Sequence, residues 1–154
     1  MNTLLPQVEE LCKALIGYVR NSKLDPESAY SSMCVEAFRK NGIKVAYLFG
    51  SRVRATSRQD SDYDFAVLFG IEATVEDEVR LMLDLAVDLG VPVDRVNVVA
   101  LDKADYELVY MVLREGKLVY ASSEESRRMW ERGALIKVLE SGDIYEICMS
   151  RVKK

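Results

Sequence analysis

Residues 47–65 read YLFGSRVRATSRQDSDYDF, and they are the most informative part of the chain. The apolar run over residues 43–49 is rich in β-forming residues and ends at Gly50, which predicts a buried strand followed by a sharp turn. A second apolar run over residues 64–69 predicts another strand. The polar residues 51–63 therefore connect two predicted strands.

The first half of this connection has the residue types of a phosphate site. Gly50 lets the backbone approach a ligand closely, and Ser51 follows it at a position suited to cap a short helix. Backbone N–H groups and a hydroxyl at a helix N-terminus bind phosphate, and Arg52, Arg54 and Arg58 add positive charge nearby. The alternative is an ordinary capped helix start with solvated arginines.

The second half carries two carboxylates at the start of a strand. Asp62 and Asp64 are spaced i and i+2, so both are expected on one face, about 6.5–7 Å apart. Two like charges at that distance repel, and a cation between them relieves the repulsion. Oxygen ligands select Mg²⁺ or Mn²⁺, which also bind substrate phosphates. The pair is therefore expected to hold a metal–triphosphate complex; the alternative is a solvent-facing strand entry.

The two halves stand in a fixed register, because ten residues separate Ser51 from Asp62. The resulting pattern, Gly-Ser, ten residues, Asp-x-Asp, resembles the signature of the nucleotidyltransferase superfamily that includes DNA polymerase beta. Within it, the chain most resembles the MntA-like minimal nucleotidyltransferases, which are antitoxins paired with HEPN toxins. The resemblance extends over residues 30–150 and includes VPVDRV at 91–96 and LREGKLVY at 113–120.

The resemblance implies roles for individual residues. Gly50 and Ser51, with the neighbouring Arg52, would bind the phosphates of a nucleoside triphosphate, and Asp62 and Asp64 would ligate Mg²⁺ or Mn²⁺. The implied reaction transfers a nucleoside monophosphate, AMP from ATP, to a hydroxyl and releases pyrophosphate. In the MntA-like group the acceptor is a tyrosine of the HEPN toxin, which is thereby silenced. The implied partners are that toxin and the nucleotide, with no membrane and no direct nucleic acid.

One residue departs from the family pattern. The family's third carboxylate lies on a later strand, and the matching stretch RVNVV at 95–99 places Asn97 there. An amide carries no charge and cannot take a proton from the acceptor hydroxyl. Asn97 is still counted with Asp62 and Asp64 as a catalytic candidate. Two alternatives remain open: a weakened or inactive member that neutralises its partner by binding, and a nucleotidyltransferase acting on a small molecule.

The remaining pattern predicts an α/β (α+β) domain with a small mixed sheet of about four strands flanked by helices, a polymerase beta-like nucleotidyltransferase fold. It comprises residues 1–154 as a single domain: an extra N-terminal helix (1–26), the nucleotidyltransferase core (27–120) and a C-terminal helical segment (121–154). Residues 74–89 are predicted as an amphipathic helix whose apolar residues include Val75, Val79 and Leu83, and residues 93–101 as a strand. The C-terminal segment either docks a partner or packs on its own domain.

Composition excludes several chemistries. The 154 residues include no histidine, which excludes Ser-His-Asp and Cys-His catalysis and imidazole zinc sites. Three widely spaced cysteines are expected to be buried or incidental thiols. The net charge of −4 argues against a general nucleic-acid binder. The sequence shows neither a signal peptide nor an apolar run of about 20 residues, so a cytoplasmic protein is expected.

Overall fold

The computed structural model describes residues 29–53 and 61–140, with side chains from residue 32 onward. The predicted N-terminal helix within residues 1–26, the loop with Arg54 and Arg58, and residues 141–154 lie outside the described residues. None of the described helices is both long and apolar enough to cross a membrane.

The described chain alternates helices and strands. The elements, in order, are α1 (Ala29–Lys40), β1 (Val45–Phe49), a 3-10 turn (Gly50–Arg52), β2 (Tyr63–Leu68), α2 (Val75–Leu89), a second 3-10 turn (Val93–Arg95), β3 (Val96–Ala100), α3 (Tyr106–Glu115), β4 (Lys117–Ala121) and α4 (Glu124–Glu140).

The four strands form one mixed sheet in the order β3-β2-β1-β4. Strand β1 is antiparallel to both β2 and β4, whereas β2 and β3 are parallel. Helix α2 supplies the crossover that a parallel pair requires. The predicted class, a small mixed sheet flanked by helices, is therefore confirmed.

Helices cover both faces of this sheet. Successive side chains along β1 belong alternately to two hydrophobic cores, one on each face. Ala46 and Leu48 belong to the core beneath α1 and α2, whereas Val45 and Tyr47 belong to the core beneath α3 and α4. All five residues of β1 are buried, as expected for a central strand covered on both sides. The buried strand ends at Phe49 and so places Gly50 at the edge of the two cores.

Helix α2 is present as predicted, but its buried face is different. Val75, Val79 and Leu83 are 70%, 44% and 50% exposed, whereas Leu81 and Leu85 are fully buried. The helix carries apolar residues on two sides, so periodicity alone could not identify the side that meets the sheet. Packing against α1 and β3 selects the face with Leu81 and Leu85.

The predicted strand over residues 93–101 is wrong at its start. Pro92 precedes a 3-10 turn, Val93–Arg95, in which the backbone N–H of Arg95 donates to the Pro92 carbonyl at 3.0 Å. The strand begins only at Val96. Asp94 consequently lies in this turn.

Helix α4 packs on its own sheet. It buries Leu135 and Val138 among the residues of the second core and places the buried Glu131 next to Tyr47. For the described part of the C-terminal segment, the structure therefore shows packing on its own domain.

Of the three cysteines, Cys34 is described and is fully buried in the first core. Burial, together with the negative charge of Asp88, raises the pKa of its thiol to about 12. Because the thiolate is the reactive form, Cys34 is an inert core residue. Cys12 and Cys148 lie outside the described residues.

Candidate active site

Asp64 lies where three chain segments meet at one end of the sheet. In the antiparallel register of β1 and β2 it pairs with Phe49, the residue before Gly50, and in the parallel register of β2 and β3 it pairs with Asn97. Asp62 precedes β2 by one residue and is exposed, whereas Asp64 is partly buried. Strand pairing thus brings Gly50, Asp64 and Asn97 together from segments distant in sequence.

Asn97 contacts Asp64 directly. Its Nδ2 atom donates a hydrogen bond to Asp64 Oδ1 at 3.0 Å. An ionised carboxylate only accepts hydrogen bonds, so the amide presents its NH₂ group to it. Asn97 is therefore a neighbour of Asp64, and its catalytic role stays a prediction.

Gly50 makes room for Asp64. Its φ of +79° lies in the left-handed region, and a Cβ built on it would overlap Asp64 Oδ2. Ser51 is partly buried inside the 3-10 turn, where the cap residue is Phe49 and makes no side-chain cap hydrogen bond. The expectation that Ser51 caps a helix is therefore wrong, because the chain forms only a three-residue turn here.

Two arginines hold the backbone just before the Asp-x-Asp pair. Arg52 donates from Nε and Nη2 to the Ser61 carbonyl at 3.0 and 2.8 Å, and Arg95 donates from Nη2 to the same oxygen at 3.0 Å. The Arg52 guanidinium also lies over the Tyr63 ring, with its Cζ 3.8 Å from the ring centroid. Both guanidinium groups therefore fix the backbone that presents Asp62.

This arrangement changes the interpretation of Arg52 and adds Arg95. Direct contact of Arg52 with phosphate stays a prediction, since the described contacts of its guanidinium are with Ser61 and Tyr63. The sequence reasoning did not identify Arg95 as a site residue. The available signal was its position two residues before Asn97, at the entry of a largely apolar strand.

The donor set suits a hard divalent cation. Asp62 and Asp64 offer carboxylate oxygens, and a carbonyl oxygen is available on Asn97. Among the described residues, no group of three or more acidic, cysteine or histidine side chains is placed so that it could hold a metal ion. Mg²⁺ commonly binds through one or two carboxylates together with substrate phosphates. The Asp64 carboxylate takes the place that a side chain of residue 50 would need, so the acidic group lies directly against the glycine turn.

Solved structures share this fold. One chain of a toxin–antitoxin complex with AMP-PNP superposes with a TM-score of 0.63 at 21% identity, over 80% of this chain and 98% of that chain. The MntA–HepT toxin–antitoxin gives 0.60 at 19%, over 83% and 100%. A tri-AMPylated Shewanella oneidensis HEPN toxin in complex with its MNT antitoxin gives 0.59 at 20%, over 81% and 97%. No curated protein matches the chain.

The sequence also matches a family model directly. The model described as polymerase beta, nucleotidyltransferase, covers residues 33–125, which is more than half of the chain. The match spans β1 to β4 and includes Gly50, Ser51, Asp62, Asp64 and Asn97. The resemblance drawn from the Gly-Ser and Asp-x-Asp pattern is thereby confirmed at the level of the family. This chain belongs to the polymerase beta nucleotidyltransferase family.

Proposed function

We propose that this protein transfers AMP from ATP to a hydroxyl group of a partner protein, with Mg²⁺ or Mn²⁺ as cofactor. The observation that carries the proposal is the position of Asp64, which lies against Gly50 and Asn97 with Asp62 two residues away. A glycine turn and an acidic pair at the end of one sheet supply a phosphate-accessible backbone and a cation site together.

Each residue of the site has a distinct task. Asp62 and Asp64 hold the cation, which neutralises triphosphate charge when it is bound. Gly50 makes room for the Asp64 carboxylate beside the turn, and Ser51 offers a hydroxyl to the phosphates. Arg52 and the Ser61 carbonyl keep the strand entry in place, so that the carboxylates need no rearrangement when the nucleotide arrives.

The reaction is an in-line displacement at the α-phosphorus. The acceptor hydroxyl oxygen forms a new bond to that phosphorus, and the bond from the α-phosphorus to the bridging oxygen breaks. Pyrophosphate leaves with the bonding electron pair. The hydroxyl proton passes to solvent water, because the amide of Asn97 cannot accept it. Transfer is therefore slower than with a carboxylate at that position.

A tyrosine of a HEPN toxin is the acceptor that fits best. The support is that antitoxin complexes share the fold, and that one of them contains an AMPylated toxin. Asn97 also favours a second candidate, in which the protein neutralises the same partner by contact alone. The two candidates differ in whether AMP from the nucleotide is transferred to the partner.

The experiment incubates the protein and its co-purified partner with each radiolabelled nucleoside triphosphate and Mg²⁺ or Mn²⁺. Label from ATP should appear on the partner, and Asp64→Asn should reduce it by about 10²–10³-fold, the scale for losing a group that stabilises transition-state charge. Asp62→Asn should act in the same direction. Asp94→Asn is the matched control, because it removes one nearby charge from the 3-10 turn and should change little.

The outcomes separate the candidates. A stable complex without label would support neutralisation by contact. Label that survives both Asp62→Asn and Asp64→Asn would contradict the assignment of the cation site. Nucleotide binding should change in the same variants. The divalent-dependent affinity for ATP should be lost in Asp62→Asn and in Asp64→Asn, and it should be kept in Asp94→Asn.

A further inference from the structure

We infer that Asn97 is a positioning residue that holds Asp64 and limits the site to a single divalent cation. This rests on the proposed function, because it concerns the same nucleotide site. It assigns to Asn97 the role of a hydrogen-bond donor in place of a third metal ligand.

The contacts of Asp64 carry the inference. Its Oδ1 accepts the hydrogen bond from Asn97 Nδ2 at 3.0 Å, and its Oδ2 lies against Gly50. The parallel register pairs the two residues directly across β2 and β3. The carboxylate is therefore oriented by the protein itself, before any cation binds.

The side-chain amide of Asn97 then limits the number of divalent cations that the site can bind. The NH₂ group of Asn97 faces Asp64, so the partial positive charge of its hydrogens lies between the two side chains. A cation bridging this pair would have to displace that hydrogen bond and meet a neutral ligand. A carboxylate at the same position would instead repel Asp64 until a cation came between them.

The fold contains a second amide–carboxylate pair that serves as a control. Asn41 donates from Nδ2 to Asp84 Oδ2 at 2.8 Å, where α1 ends against α2. Asn41→Asp therefore introduces a carboxylate–carboxylate contact away from the Gly50 turn and the Asp-x-Asp pair, with Lys40 Nζ 3.8 Å from Asp84 Oδ1. Comparing it with Asn97→Asp separates a general effect of repulsion from the creation of a metal site.

The experiment measures metal stoichiometry by equilibrium dialysis with Mn²⁺ and an ATP analogue that cannot be cleaved between the α- and β-phosphates. The wild-type protein should retain one Mn²⁺ for each bound analogue. Asn97→Asp should retain a second Mn²⁺, and Asn41→Asp should behave as the wild type. The proposed transfer reaction should also become faster in Asn97→Asp alone.

Thermal unfolding gives a readout that does not depend on activity. Without divalent ions, Asn97→Asp and Asn41→Asp should each lower Tm by about 2–4 °C, the shift that a modest loss of stability causes in a chain of this size. Mn²⁺ alone should restore Tm in Asn97→Asp and leave Asn41→Asp unchanged. A merely structural asparagine would give no such difference between the two variants.

Asn97→Ala provides a variant that adds no charge. It should keep one Mn²⁺ per analogue, with affinity weakened by less than about tenfold, the scale of one hydrogen bond. Complete loss of Mn²⁺ in this variant would overturn the inference, because it would make Asn97 a ligand. Two Mn²⁺ in the wild type, or no second Mn²⁺ in Asn97→Asp, would overturn it as well. Failure of the wild type to bind the analogue at all would instead contradict the proposed function.

Discussion

Two polar clusters on the sheet contrast a buried carboxylate with an accessible one. In the first, Glu131 of α4 is 4% exposed and accepts from Tyr47 Oη at 2.5 Å and from Arg127 Nη1 at 3.0 Å. In the second, Asp64 is partly buried beside the exposed Asn97. Both clusters join a carboxylate to donors on a neighbouring element, yet only the second offers oxygens to an external ligand.

The buried cluster is a structural device. Each oxygen of Glu131 has a partner within the protein, Oε1 with Tyr47 and Oε2 with Arg127. Burial raises the pKa of Glu131, although the hydrogen bond from Tyr47 and the charge of Arg127 oppose that rise. Burial likewise raises the pKa of Tyr47 far above its usual value. The raised pKa values of Glu131 and Tyr47 therefore belong to the contact between α4 and the sheet and not to residues of the candidate active site.

The largest effect that tests this comparison is expected from Gly50→Ala. The new Cβ would overlap Asp64 Oδ2 and displace the carboxylate, and a displacement of about 1 Å can cost about 10²-fold in rate. Gly42→Ala is the control, since Gly42 has a similar φ of +68° and an added Cβ would meet no atom within 4 Å. Both variants should lose stability in urea unfolding because both positions have a positive φ, and Gly50→Ala should lose more because of the overlap, but only Gly50→Ala should lose transfer activity. Equal activity in the two would break the link between Gly50 and Asp64.

Tyr47→Phe should affect stability and leave the chemistry intact. It removes a donor from the buried Glu131, which should lower the free energy of unfolding by about 1–3 kcal/mol. Tyr120→Phe is the control, because the Tyr120 ring stacks on Phe38 and should lose less. Urea unfolding of both variants measures the difference. A large loss of nucleotide affinity in Tyr47→Phe would show that the two clusters are coupled.

The same variant should have a distinctive pH dependence. The hydrogen bond from Tyr47 lowers the pKa of Glu131, so its removal raises that pKa further above the ordinary value of 4.5. A carboxyl with a raised pKa loses stabilising free energy as pH rises through its folded-state pKa. The loss of free energy of unfolding in Tyr47→Phe, relative to the wild type, should therefore grow from pH 4.5 towards neutral pH. A deficit that is constant over this range would contradict an ionised, buried Glu131.

The smallest effect is expected from Arg95→Met, which tests whether Arg95 belongs to the accessible cluster. Arg52 still holds the Ser61 carbonyl in this variant, so the backbone before Asp62 should loosen only partly. We expect about a tenfold loss of transfer rate, equivalent to about 1.4 kcal/mol, with little change in Tm. Arg39→Met is the control, because Arg39 is exposed and pairs with Glu36 one turn away on α1. A loss of the same size in both would remove Arg95 from the site.

The sequence predicted the helices and strands better than it predicted which helix faces are buried and which distant residues are in contact. The Gly-Ser and Asp-x-Asp spacing predicted the family, and the apolar runs predicted strands over residues 43–49, 64–69 and 93–101, the last of them wrong at its start, because these signals are local. The side of α2 that is buried was not predictable, since Val79 and Leu81 are equally apolar and only packing distinguishes them. The hydrogen bonds from Arg52 and Arg95 to the Ser61 carbonyl were not predicted for a related reason, because they join residues far apart in sequence.

The Gly-Ser and Asp-x-Asp spacing was sufficient to predict the family and the residue types of the candidate site, and the family resemblance implied the mixed sheet. The contact of Asp64 with Gly50 and its hydrogen bond from Asn97 became known from the folded chain alone. Strand order and register place these residues together, and both depend on long-range pairing that local sequence does not encode.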